Sequence, residues 1–174
     1  MKTKFLFLAA LLFIGLSSAN AIAQESSASY NKRSGIIILV RHAEKADDSS
    51  DTELSDVGKQ RAQRLVKAIG KYRPGGFYST NYKRTRDTIG PLATKRNKTI
   101  ETYDPRKPQE LVDKIMQSKT KRFVVAGHSN TVPGLANFIA KKELFKNLDD
   151  AEFSVIWLIR IKNGKVVKVE LLEY

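Results

Sequence analysis

The chain has 174 residues, 41% hydrophobic and 28% charged, a balance that suits one globular domain and excludes a disordered tail or a membrane bundle. Thirty-one Lys and Arg against 18 Asp and Glu give a formal charge of +13. No cysteine is present, which removes disulfide frameworks, zinc–cysteine sites, thiol nucleophiles and a lipid-anchored lipoprotein, and two histidines are too few for a multi-histidine metal cluster.

Residues 1–23 read as a secretory signal. Lys2 and Lys4 precede an apolar run from Phe5 to Leu16, followed by the small residues Ser17 to Ala23, the basic, apolar and A-x-A pattern of a cleaved leader. Twelve helical residues rise only about 18 Å, short of the roughly 30 Å of hydrocarbon that an anchor must cross. Cleavage is expected after Ala23, with Ala21 as the second choice. The mature chain, 24–174, then loses two lysines and no acids and keeps a formal +11. Its expected location is periplasmic or secreted, with no stable membrane insertion after cleavage.

Residues 24–33 are small and polar, a flexible lead-in to a single domain over 34–174. Gly35 to Val40 is a continuous apolar run, as in a parallel strand covered on both faces, and it delivers Arg41 and His42. A polar loop, Asp47 to Glu53, leads to Ser55 as N-cap of a helix in which Ala62, Leu65, Val66 and Ile69 recur at helical spacing to about Lys71. Phe77-Tyr78-Ser79 reads as a short strand and Tyr82 to about Thr94 as a helix that Gly90-Pro91 should bend or break. Ile100 to Tyr103 suggests a further strand, and Pro108 to Gln117 a helix.

Phe123 to Gly127 repeats the first pattern and delivers His128. The next helix starts near Val132-Pro133 with Leu135, Phe138 and Ile139 on its apolar side. Phe153 to Ile161 and Lys165 to Leu171 flank Asn163-Gly164, a tight hairpin signal, and Trp157 reads as core. Alternating strands and helices closed by a hairpin indicate a mixed three-layer α/β domain. Both histidines follow buried-type strands, where open α/β sheets bind ligands, so they point to one shared site.

The local sequence around these positions resembles the histidine phosphatase superfamily, with its phosphoglycerate-mutase-like fold. Leu39-Val40-Arg41-His42-Ala43-Glu44 is similar to its L-x-R-H-[AG]-[EQ] signature. Leu54-Ser55, Gly58 and Arg61-Ala62 resemble the L-[ST]-x-x-G-x-x-Q-A helix start, and Tyr78 to Thr88 the Y-S-S-P-x-x-R-A-x-Q-T segment. Val125-Ala126-Gly127-His128-Ser129-Asn130 resembles the G-H-[SG]-x motif. The ordered likeness covers nearly all of 35–161. The branch suggested is one of small exported or SixA-like phosphatases.

The resemblance implies an α/β/α domain with a mostly parallel sheet and a C-terminal antiparallel hairpin. It implies His42 as a nucleophile forming a phosphohistidine, with Arg41, Arg84 and His128 as phosphate ligands. The residue types suit those roles: imidazole attacks phosphorus through one nitrogen, guanidinium forks match phosphoryl oxygens, and a protonated His128 adds a third donor. Asn130 is expected as a rim donor, Glu44 and Lys45 as neighbours that shape the rim, and Lys83 and Arg86 as a solvated basic face.

Thr80-Asn81 stands where the family has Ser-Pro, and Asp87 where it has Gln. Asp104 is the favoured general acid and Glu101 its alternative. A phosphoramidate would need less help from either.

Only about 30 residues separate the Arg84 motif from the strand to His128, too short a cover to retain a phospho-intermediate for transfer. Hydrolysis of a phosphate monoester or phosphoramidate is therefore expected ahead of phosphomutase activity. The rival from another class is a noncatalytic exported phosphate-binding or interaction module. No cofactor and no metal are expected.

Candidate partners are a phosphorylated small molecule, an envelope sugar phosphate or a phosphoprotein. The basic clusters at 67–71, 95–98, 119–122, 141–142 and 162–168 look scattered and lack aromatic interleaving, so no specific nucleic acid is expected. They read instead as a solvated surface that raises the local concentration of anions, whether phosphate esters or an anionic envelope.

Overall fold

A computed structural model describes residues 33–174; the signal expected at 1–23 and residues 24–32 of the expected lead-in lie outside the described residues. Six strands form one sheet: β1 (Gly35–Arg41), β2 (Gly76–Ser79), β3 (Glu101–Thr102), β4 (Arg122–Gly127), β5 (Val155–Lys162) and β6 (Lys165–Glu173). Their spatial order is β3-β2-β4-β1-β5-β6. β1 to β4 are mutually parallel, whereas β5 runs antiparallel to β1 and pairs with β6 as a hairpin. Asn163 and Gly164 both take positive φ, 51° and 71°, which the primed turn joining two right-twisted strands requires.

Four helices cover the sheet: α1 (Asp56–Ile69), α2 (Lys83–Lys95), α3 (Pro108–Gln117) and α4 (Thr131–Ala140). The continuous apolar runs of β1, β4 and β5 are explained by two cores, one on each face. Ile38, Val40, Val124 and Leu158 pack with Leu65, Ile69, Ile89 and Leu92 of α1 and α2. Ile37, Leu39, Val125 and Trp157 pack with Leu111, Ile115, Val132 and Leu135 of α3 and α4. Alternate residues of each central strand thus serve opposite layers, and the domain is an α/β/α sandwich.

Several local expectations change. Helix α2 runs through Pro91 to Lys95, because buried Leu92 and Ala93 tie its last turn to the core and outweigh one lost backbone bond. β3 is only two residues long. Phe138 is 40% exposed, and the buried face of α4 is Val132, Pro133, Leu135, Ala136, Asn137 and Ile139 instead. β5 begins at Val155, which frees Phe153 from the strand. Arg33, the last residue of the lead-in, is fastened through its guanidinium to the carbonyls of Ser118 and Thr120.

Ser55 does cap α1, its Oγ accepting from the Gly58 amide at 3.1 Å. Gly58 is required by close approach: a Cβ there would lie 2.3 Å from the Glu44 carbonyl oxygen, so only glycine lets α1 start against the chain leaving β1.

Candidate active site

The parallel sheet brings the two histidines together. Arg41 pairs with Gly127 at the ends of β1 and β4, so the next residues, His42 and His128, emerge side by side. The His42 amide donates to the Gly127 carbonyl at 2.8 Å, and the ring centroids stand 5.4 Å apart at 65°. On the other side of β4, Ser79 pairs with Ala126, which places Thr80 beside His128. Thr80 Oγ1 lies 3.0 Å from His128 Nε2 and 3.0 Å from Thr85 Oγ1 at the start of α2.

The His42 tautomer follows from its neighbour. Nδ1 lies 2.8 Å from the Ala43 carbonyl, which can only accept, so Nδ1 carries the proton and Nε2 the lone pair. Burial lowers the His42 ring to about 4, with further lowering by His128, Arg84 and Arg41 against the raising effect of the Ala43 bond. His128 is also lowered to about 4, first by burial and then by Arg84 and Arg41. Both rings are therefore neutral at neutral pH. The protonated His128 anticipated from the sequence is not the resting form, because burial disfavours the charged ring and two guanidiniums add to that effect.

Arg41 is 6% exposed. Its Nη1 donates to the Asp149 and Glu152 carbonyls, both at 2.8 Å, and its guanidinium lies 4.1 Å from the centre of the Phe153 ring. Its Nε is buried and has no hydrogen-bond partner among the described residues, and the same holds for the Nε of Arg84. Arg84 is aimed by a donation from Nη1 to the Ser50 carbonyl at 2.8 Å and by the Tyr82 ring, 4.4 Å away. Helix α2 is itself pinned to the loop that follows β1. The Ala43 amide donates to Thr88 Oγ1 at 2.8 Å, and that hydroxyl donates to the Arg84 carbonyl at 2.7 Å.

Arg41, His42, Arg84 and His128 are thus one constellation in space. Asp104, expected as the general acid, is committed elsewhere. Its carboxylate takes the side chain of Arg106 through Nε at 3.0 Å and Nη2 at 2.9 Å, and these bonds lower its pKa to about 2. A carboxyl held there carries no proton at neutral pH. Glu101 is exposed on β3, beside Tyr78 of β2.

Asn130 is exposed at the start of α4 and makes no side-chain capping bond. Glu44 holds Arg61 through three contacts of 2.7–3.0 Å, Lys45 pairs with Asp48, and Arg86 reaches Thr102 Oγ1 at 3.1 Å.

Four contributors were missed. Thr80 was visible only as a departure from Ser-Pro. Tyr82 stands edge-on to His128 at 5.1 Å, and Phe153 lies 6.2 Å from His42. The Ser50 carbonyl carries no sequence signal at all.

Residues 37–106 match the histidine phosphatase superfamily (branch 1). No curated protein is significantly similar in sequence. Among solved structures the chain is similar to a candidate alpha-ribazole-5'-P phosphatase from Escherichia coli, with 10% identity, 82% of this chain and 97% of that one covered, and a TM-score of 0.66. It is also similar to the mycobacterial glucosyl-3-phosphoglycerate phosphatase, with 12% identity, 82% and 99% covered, and a TM-score of 0.63. A candidate phosphohistidine phosphatase, SixA, from Agrobacterium tumefaciens gives 17% identity, 80% and 98% covered, and a TM-score of 0.60. The segment 37–106 is thus similar to the histidine phosphatase superfamily, and the chain shares the fold of these solved structures.

Proposed function

We propose that the protein is a phosphatase that hydrolyses a phosphate monoester or phosphoramidate through a phosphohistidine on His42. The observation that carries this reading is the pair of buried, partnerless Nε atoms of Arg41 and Arg84 beside two neutral imidazoles. Buried donors without acceptors are costly, and a phosphoryl group supplies oxygen acceptors in fork geometry. Similarity to phosphatases of known fold supports the same reaction class.

His42 Nε2 attacks phosphorus while the bond to the leaving oxygen or nitrogen breaks, and the electron pair departs with the leaving group. Water then attacks phosphorus, the phosphorus–nitrogen bond to His42 breaks, and inorganic phosphate leaves as the Nε2 lone pair is restored. A phosphoryl dianion beside Arg41 and Arg84 offsets the charges that depress His128, which then serves as proton donor and clamp. With Asp104 held by Arg106, a phosphoramidate such as a protein phosphohistidine fits this site better than an alkyl ester, since an imidazole already protonated on its other nitrogen leaves as a neutral group. The reaction takes place outside the cytoplasm, after removal of residues 1–23; N-terminal sequencing of exported protein should begin at Gln24.

Rapid quench with an aryl phosphate or phosphoramidate, followed by alkaline digestion and mass mapping, tests the mechanism. A base-stable, acid-labile adduct on His42 is expected. An adduct on His128 would reverse the assignment, and tight phosphate binding without turnover of any substrate would favour a binding module.

A further inference from the structure

The basic clusters that look scattered in the sequence fold onto one end of the molecule. Each parallel strand ends beside the histidines, and the helix that follows carries the chain back, so every helix ends at the amino edge of the sheet. The connections there, with the β5–β6 turn, are 70–75, 95–100, 117–122, 140–143 and 162–168. They contain thirteen Lys and Arg and one carboxylate, Glu143. Among the described residues only Lys168 of this group forms an ion pair, with Glu170 at 2.9 Å. Acids gather at the opposite end, where Asp47, Asp48, Asp51, Asp149, Asp150 and Glu152 lie on the loops around the histidines.

Cations in the last turn of a helix, such as Lys67, Lys95 and Lys114, complement the helix dipole. That account does not reach Lys121, Arg122, Lys162 and Lys165, which sit at strand ends and around the hairpin. Lys121, Arg122 and Lys162 line a shallow concavity of about 510 Å³ shared with Ser34, Gly35 and Val167. Val167 is apolar and 59% exposed. The charge is also misplaced for drawing phosphate esters to the histidines, since the sheet lies between them.

We propose that this amino-edge face docks the protein on an anionic phospholipid surface. The phosphate headgroups would meet the lysines and arginines, Val167 would enter the interface, and the histidine end would face away from the bilayer. Charge complementarity favours this occupant, and a face drawn from five separate connections suits a broad anionic plane better than a single strand of polyanion. The described chain starts at Arg33 on this same end, beside Ser34 and Gly35 of the concavity.

Co-sedimentation of the purified chain with neutral phosphatidylcholine vesicles, and with vesicles containing about a third phosphatidylglycerol, tests the proposal. Binding should be selective for the anionic vesicles and fall as salt is raised. Each cation removed should weaken it about fivefold, so the triple Lys121→Gln, Arg122→Gln, Lys162→Gln should lose roughly a hundredfold. A second triple from other connections of the face, Lys98→Gln, Lys142→Gln, Lys165→Gln, should lose as much. Lys59→Gln, Arg64→Gln, Lys107→Gln, with the same change in net charge away from the face, should change binding less than about twofold. Unchanged thermal midpoints establish that all three variants are folded. Equal weakening by the Lys59 triple, or equal binding to neutral vesicles, would overturn the proposal. So would tighter binding to soluble polyphosphate or RNA with the same dependence on Lys121, Arg122 and Lys162.

Discussion

At the carboxyl edge of the sheet, β1, β2 and β4 finish level with one another and continue into loops bound tightly to the strands beside them. His42 donates its amide to Gly127, Thr80 meets His128, and the Ser50 carbonyl aims Arg84. At the amino edge the chain crosses through connections dense in lysine that make almost no ion pairs among the described residues. The contrast comes from the period of the fold. When helices return between parallel strands, alternate connections land at opposite ends, so residues far apart in sequence are sorted by which kind of connection holds them. One end can then be preorganised around neutral histidines while the other collects charge, without either being contiguous in the chain.

The largest expected effect at the histidine end is that of His42→Ala, which should abolish turnover and leave no covalent adduct. Steady-state assays combined with quench labelling measure both, and normal turnover by this variant would break the assignment of a chemical end. His128→Ala should slow the reaction about 10²- to 10³-fold while still permitting slow labelling of His42.

Stability should also separate the ends. Both rings are lowered from 6.5 to about 4, so the unfolded chain takes up these two protons first. The stability they contribute is present above pH 6.5 and lost as pH falls from 6.5 towards 4. Denaturant melts across that window should show the loss, and His42→Phe should flatten it.

The smallest effect belongs to the scaffold between the two ends. Ser55→Ala removes the cap of α1 and should cost about 1 kcal/mol in a denaturant melt, with catalysis nearly unchanged.

Much of this contrast could be read before the fold was known. The unbroken apolar runs at 35–40 and 123–127 specify buried parallel strands, and they deliver one histidine each, so the shared site follows from strand chemistry. Ser55, Asn163-Gly164 and the helix over 108–117 are local matters of capping, turn geometry and periodicity, and they lie where those rules put them. Pro91 shows the limit of local rules, because the packing of Leu92 and Ala93 belongs to the tertiary core.

Side-chain partners were beyond the sequence for a similar reason. Asp104 is the favoured acid in the sequence, ahead of Glu101, and only the structure shows Arg106 closing on it. Phe153 looks like one more strand residue until β5 starts two positions later and leaves its ring against Arg41 and His42.

The sequence by itself therefore determined the elements, their alternation and the constellation Arg41, His42, Arg84 and His128, since these depend on local periodicity and on motifs of fixed spacing. The tertiary structure alone decided three further matters: that both imidazoles are neutral, that Arg41 and Arg84 keep buried donors free, and that the basic clusters share one face. Each depends on burial or on through-space proximity between residues tens of positions apart, and the order of residues along a chain does not contain that information.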